Sequence, residues 1–273
     1  MNTTQRTDTV DITPPIRTNG PTALTRPVSA SIEQCELTHV ARGAIRLDVA
    51  RHEHQRYEDA LASLGCAVLR LPELPQQPDA VFVEDTVVVL DELAVITRPG
   101  AASRRGELRS VASALAPFRT LARIEAPGTL DGGDVLHVGR ELYVGDSGRS
   151  NAHGIEQLRA HVAPFGYTVT TAPVHDCLHL KSAVTRIGEH RLLINPRWTD
   201  AACFKQYDLL EVDPSEPFGA NSVVVGDALV YPDHLPQTRR RLEAAGMQVV
   251  AVPAGELAKA EGGVSCCSVL LNV

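Results

Sequence analysis

A chain of 273 residues with 44% hydrophobic side chains can bury a substantial core, and with aromatics at 4% that core must be built from Val, Leu, Ile and Ala. A formal net charge of −7 argues against a nucleic-acid or anionic-membrane surface over the whole chain. No stretch approaches the roughly 18 apolar residues of a membrane span, residues 1–20 carry no apolar signal-like run, and the six cysteines show neither CxxC pairs nor a small-domain disulfide spacing. A cytoplasmic protein with reduced thiols is expected.

Residues 1–20, rich in Thr, Asp and Pro, read as a mobile tail. Beyond them no linker separates two units, so 21–273 reads as a single domain. TALTRPV (22–28) suits a strand. Residues 47–65 form an amphipathic helix with Leu47, Ala50, His54, Tyr57, Leu61 and Leu64 near one face, and CAVLRLPEL (66–74) a closing strand. Residues 79–100 then read as two strands about a turn at Asp91-Glu92, followed by a helix in GELRSVASALAPF and a strand near Thr120–Ile124. The order returns in LDGGDVLHVGRELYVGDS (130–147), with a helix over Asn151–Phe165 and the strand YTVTTAPV. It returns in HLKSAVTRIGEHRLLINP (179–196), with a less clear helix around Asp200–Tyr207. It returns again in GANSVVVGDALVYPD (219–233), with the helix LPQTRRRLEAAG and the strand MQVVAVP. A fifth copy begins at GGVSCCSVLLNV and runs off the C-terminus; its missing parts stand at the N-terminus. The markers Asp85, Asp131, His179, Asn221 and Cys266 are spaced by 46, 48, 42 and 45 residues. Such a period predicts five strand–strand–helix–strand units closed into a ring, an α/β propeller. Equivalent polar residues at the start of each unit would then meet in one central cavity.

Those residues carry the chemistry. Cys266, after two glycines and before an apolar strand, sits where a thiol can act as a nucleophile; an ordinary small strand residue would look the same locally. Strand alternation lets only one of Cys266 and Cys267 face a given side. His179, between Leu178 and Leu180, is either a hydrogen-bonded core histidine or an acid/base group. Glu84 and Asp85 interrupt apolar runs, which is costly unless they are paired or hold a cation, and Asp79 lies upstream. LDGGD adds Asp131 and Asp134, in a site or in an Asx-type turn. Several carboxylates aimed at one cavity call for positive charge, and the planar guanidinium is the natural match. Arg104, Arg105 and Arg149 are surface arginines or grips for a ligand carboxylate.

The strings FVEDTVVVLDELAVITRPGAASRRGE and LDGGDVLHVGRELYVG, the HLK at 179–181 and the terminal GGVSCCSVLLN resemble those of the dimethylarginine dimethylaminohydrolases, over about Leu24 to Val273. The resemblance implies the fivefold pseudosymmetric ββαβ propeller of the guanidine-modifying superfamily, the pentein fold. It implies hydrolysis of methylated arginines to citrulline and an alkylamine, with no metal or organic cofactor. It implies Cys266 as nucleophile, His179 as general acid/base and Asp131 as the orienting carboxylate, where some members carry Glu. Asp85 would hold the guanidinium with Asp131, Asp79 and Glu84 would complete an acidic pocket, and Arg104 and Arg149 would bind the amino-acid carboxylate. Leu37 falls in the segment expected to form a mobile lid, around residues 29–38. A small-molecule partner is implied, a homodimer is compatible, and nucleic acid and membrane are not expected. Arginine deiminase and amidinotransferase chemistry are the neighbouring alternatives. A non-catalytic binder of arginine-like ligands, or a thiol-metal protein built on Cys266, Cys267 and His179, is the alternative from another class.

Overall fold

The computed structural model describes residues 20–272; the expected N-terminal tail lies, but for Gly20, outside them. In chain order the elements begin with β1 (Thr22–Thr25), α1 (Leu47–Ser63) and β2 (Ala67–Arg70). The next unit is β3 (Val87–Val89), β4 (Leu93–Ile96), α2 (Leu108–Leu115) and β5 (Thr120–Arg123). After it come β6 (Val135–Val138), β7 (Glu141–Asp146), α3 (Ala152–Val162) and β8 (Thr168–Pro173). The third has α4 (Leu180–Ala183), β9 (Val184–Arg186), β10 (Arg191–Ile194) and β11 (Asp208–Glu211). The fourth has β12 (Val223–Val225), β13 (Ala228–Pro232), α5 (Pro236–Ala244) and β14 (Gln248–Val252). α6 (Gly255–Ala258) and β15 (Val269–Leu271) end the chain's regular structure.

The strands form five three-stranded sheets with one topology. In each, the first strand pairs antiparallel with the second and the second parallel with the third. In the terminal sheet the first strand is β15 and the second β1, so the two chain ends complete one unit. The hydrophobic clusters close the ring. Each of the five main ones is shared by two successive units: Leu24 and Val269 with Val87 and Ile96, Val88 and Val95 with Val135 and Leu142, Leu136 and Tyr143 with Val184 and Leu192, Ile187 and Leu193 with Leu229 and Tyr231, and Val223 and Val230 with Ala23 and Tyr57. A unit alone would leave an apolar face open on either side; only the closed set buries them all.

Local signals explain the elements. Asn151 caps α3 by accepting the Gly154 N–H, and Ala50, Tyr57 and Leu61 bury the predicted face of α1. Two readings change. Val83–Thr86, expected within a strand, is a 3-10 turn, and the expected helix over 200–207 shortens to a 3-10 turn at Ala201–Phe204. Both segments are too short for periodicity to separate the two states. No helix among the described residues is long and apolar enough to cross a membrane.

Candidate active site

Four of the five units make a short helical turn just before the first strand. The turns are Val83–Thr86, Gly132–Asp134, α4 and Ser265–Cys267. Val83–Thr86 packs on both Gly132–Asp134 and Ser265–Cys267, and Gly132–Asp134 packs on α4. The turns therefore bring Asp85, Asp131, His179 and Cys266 together from across the sequence. In the remaining unit Asn221 braces the turn that carries Cys266. Its Oδ1 accepts the Ser265 N–H at 2.9 Å and its Nδ2 donates to Ser265 Oγ at 2.9 Å.

Cys266, His179, Asp85, Asp79, Arg104 and Arg149 line one small cavity of about 20 Å³, together with Glu36, Phe82, Leu178, Ala260, Glu261 and Gly262. Cys266 is half-buried, and its Sγ accepts the Gly263 N–H at 3.4 Å. Cys267 faces away, buried among apolar residues; the two cysteines lie in a 3-10 turn rather than the expected strand, and the turn separates their side chains. Burial, then the charges of Glu84 and Asp85, push the Cys266 thiol up to about 12, so the unliganded site holds a thiol at neutral pH.

His179 stands at the head of α4 in extended backbone conformation. Its Nε2 lies 3.0 Å from Asp131 Oδ2 and its Nδ1 3.7 Å from Asp85 Oδ1. Burial disfavours the imidazolium, yet Asp85, Asp131 and Asp134 outweigh it and hold His179 up at about 9. Burial would raise Asp85 as well, but His179 and Arg104 keep it down at about 2. An imidazolium between two carboxylates is thus the resting state. The donor atoms of Asp85, Asp131 and His179 lie within 4.8 Å of one another and could also hold a metal ion.

Asp131 is anchored by the Gly100 N–H at 2.8 Å and has Arg149 Nη1 at 3.9 Å. Arg104 is more tightly engaged than a free grip. It pairs with Asp85 and forks onto Glu107 at 3.0 and 2.9 Å, while Nη2 donates to the carbonyls of Asp79 and Phe82. Removing one partner of such a buried pair costs ~3–5 kcal/mol, so Arg104 helps hold the site together as well as facing the cavity. Asp79 accepts the Glu36 N–H at 3.2 Å, and burial pushes its carboxyl up to about 6.

Asp131 is fully buried behind His179 rather than on the cavity wall, and two other expected residues fall elsewhere. Glu84 does not face this cavity: its carboxylate accepts from Lys181 Nζ at 2.6 Å and Ser265 Oγ at 2.8 Å. It borders a second cavity of about 220 Å³ on the ring axis, lined by the first strands of all five units, including Val88, Leu136, Thr185, Val223 and Leu270. In a helical turn adjacent side chains diverge, so Glu84 and Asp85 serve different cavities. Leu37 packs on the apolar cluster around α1 and does not line the cavity. Sequence reasoning missed Glu36 and Glu261 as lining residues. It left Asp134 between a site and a turn; Asp134 accepts the Leu180 N–H at 3.0 Å and hydroxyls from Ser147 and Ser150, fixing the turn that presents His179. A doubled acid around two glycines was the available signal for Asp134; an acid beside a Gly pair in AEGGV was the signal for Glu261.

No family model matches the chain. It is 39% identical over 253 residues to the N(G),N(G)-dimethylarginine dimethylaminohydrolase of Streptomyces coelicolor, covering 92% of this chain and 96% of that one. Its fold is similar to that of the dimethylarginine dimethylaminohydrolase of Pseudomonas aeruginosa, solved as a cysteine-to-serine mutant complexed with citrulline, at a TM-score of 0.86, 31% identity and 92% and 99% coverage. It is equally similar to a histidine-to-glycine variant of a dimethylarginine dimethylaminohydrolase, solved as an adduct with S-methyl-L-thiocitrulline, at a TM-score of 0.87, 31% identity and 92% and 100% coverage. At these identities over nearly the whole chain, and with a thiol, an imidazolium and carboxylates gathered in one cavity, the chain belongs to the dimethylarginine dimethylaminohydrolase family.

Proposed function

We propose that the chain hydrolyses asymmetric dimethylarginine and monomethylarginine to citrulline and the alkylamine, through a thiouronium on Cys266. The observation that carries this reading is the pair of Cys266 and an imidazolium at His179, itself held between Asp85 and Asp131, on one cavity. A guanidinium entering the site adds positive charge beside the thiol and offsets the burial and the carboxylates that hold it protonated, so the thiol loses its proton to solvent and the thiolate forms in the complex. The thiolate attacks the guanidinium carbon. His179 gives its proton to the departing amine as the C–N bond breaks, leaving the thiouronium. Neutral His179 then takes a proton from water as it adds, and collapse releases citrulline and regenerates the thiol. Asp131 orients the ring and Asp85 supports the cationic guanidinium. Arg149, beside Asp131 and on the cavity wall, is placed to receive the amino-acid carboxylate. All six cysteines are free, which suits a reducing cytoplasmic setting.

The test is a parallel assay of arginine, monomethylarginine and asymmetric dimethylarginine that measures citrulline and the released amine. Citrulline with dimethylamine as the preferred outcome supports the proposal. Arginine turned over fastest, with ammonia released, would replace it with deiminase chemistry.

The pH profile follows from the same charges. Asp79 and Asp134 ionise near about 6 because burial opposes their charge. His179 loses its proton near about 9. The kcat profile, set in the complex where the thiolate has formed, should therefore be bell-shaped, rising through about 6 and falling through about 9. Stability shares the alkaline limb. The folded pKa of His179 is raised, so its contribution is complete below its ordinary ~6.5 and is lost as pH climbs through about 9. Thermal unfolding across pH 6 to 10 checks the sign: a midpoint that rises over this range would contradict it.

A further inference from the structure

The cavity at Cys266 is too small for the ligand just proposed. At about 20 Å³ it has room for about one water, whereas an arginine side chain alone carries a planar guanidinium on a three-carbon stem. Some wall must move to admit it. All of its lining residues but Glu36 are buried or half-buried. Glu36 is exposed and opens the segment 36–43, which has no helix or strand and is itself largely exposed.

Both flanks of this segment are fixed. Ile32 and Cys35 are buried in the core, and Arg42 braces the loop internally by donating to the carbonyls of Glu33 and Cys35, each at 2.6 Å. On the far side Glu256 accepts the Arg46 N–H at 3.0 Å and Lys259 donates to the Ala44 carbonyl. Between these anchors the backbone is tied by two carboxylates: Asp79, on the Glu36 N–H, and Glu261, which accepts the Thr38 and His39 N–H groups at 2.6 and 2.5 Å. Glu261 lines the Cys266 cavity and stands five residues before the nucleophile. It also holds φ at +58°, a left-handed conformation that glycine adopts without cost. Gly262 and Gly263 follow at once, placed there because a Cβ would strike Phe82 and the side chain of Asn221. Glutamate thus occupies the one position of the three where the backbone favours glycine, which directs attention to its side chain.

We infer that Glu261 is a positioning residue that latches segment 36–43 onto the Cys266 loop, and thereby sets the rates at which ligand is admitted and product leaves. The inference rests on the reading of the Cys266 cavity as the active site, but its first test does not. Hydrogen exchange at residues 36–40 should accelerate by about tenfold or more in Glu261→Ala, because two charge-assisted hydrogen bonds are lost. Glu261→Gly is the second variant. It removes the same latch while relieving the backbone, so its thermal midpoint should not fall below that of Glu261→Ala. In both, N-ethylmaleimide, a neutral reagent insensitive to the lost charge, should label Cys266 faster, as located by tandem mass spectrometry. Glu261→Gln, with one acceptor oxygen left, should lie between. With the methylarginine substrate, KM should rise while kcat stays level or increases, since opening no longer limits release. Unchanged exchange at residues 36–40 in folded Glu261→Gly would overturn the latch whatever the substrate proves to be. Faster exchange and labelling with no turnover of any arginine derivative by the wild type would uphold the latch and remove the proposed reaction instead.

Discussion

Cys266→Ser should fold, bind substrate and lose at least ~10⁴-fold in kcat. The change replaces a half-buried sulfur by oxygen and removes no packing of consequence, so the thermal midpoint should stay close to that of the wild type. The chemistry suffers far more. Burial and the charges of Glu84 and Asp85 already hold the thiol up at about 12; a hydroxyl in the same place starts much higher and has no adjacent base, because His179 rests as an imidazolium between Asp85 and Asp131. A bound guanidinium can shift a thiol into the reactive range; it cannot do so for an alcohol. Cys267→Ser is the matched control. Its side chain points into the apolar cluster beside α1, so any loss there should show as lower stability with activity retained. Acid-quenched wild type should carry the mass of the thiouronium adduct on the peptide containing Cys266, and the serine variant should not. Near-normal turnover by Cys266→Ser would end the nucleophile assignment.

The ring was legible in the sequence because its cause is periodic. Hairpin turns at Gly139 and Gly226 adopt positive φ, the apolar runs on either side form the paired strands, and the 42–48 residue spacing of the polar markers survives as four stacked helical turns and a bracing Asn221. The choice of Cys266 over Cys267 came from the family resemblance, because the pair sits in a 3-10 turn and alternation alone does not say which sulfur faces the cavity. What the sequence hid depends on how short turns point their side chains. Glu84 and Asp85 are neighbours in the chain, yet one meets Lys181 and the axial cavity and the other meets His179. Nor could composition reveal that Arg104 is clamped by Glu107, because a buried ion pair at i and i+3 reads like any charged helix start. Glu261 was hidden for a different reason: its partners are backbone N–H groups of Thr38 and His39, and backbone donors leave no mark on side-chain pattern.

Gly133→Ala should cost ~10²-fold or more in kcat/KM, although the residue has no functional group of its own. A Cβ at Gly133 would stand 2.5 Å from Asp85 Oδ1 and 2.6 Å from His179 Nδ1, between the two partners of the ion pair. Neither can yield easily. Asp85 is held by Arg104 and by the Gly133 N–H itself at 3.0 Å, and His179 by Asp131 and by a turn that Asp134 fixes. The inserted methyl must therefore push Asp85 and His179 apart, with an overpacking cost of ~1–3 kcal/mol. Separation weakens the largest influence keeping His179 protonated, the charge of Asp85. The alkaline limb of the pH profile should accordingly move to lower pH in this variant, a shift that simple destabilisation would not produce. Gly188→Ala, where a Cβ meets only ordinary contact with Arg191 at 3.5 Å, should leave both activity and profile in place. If Gly133→Ala kept the wild-type alkaline limb, the close approach of Asp85 and His179 would not be what sets the acid/base group, and Asp131 would have to carry that role alone.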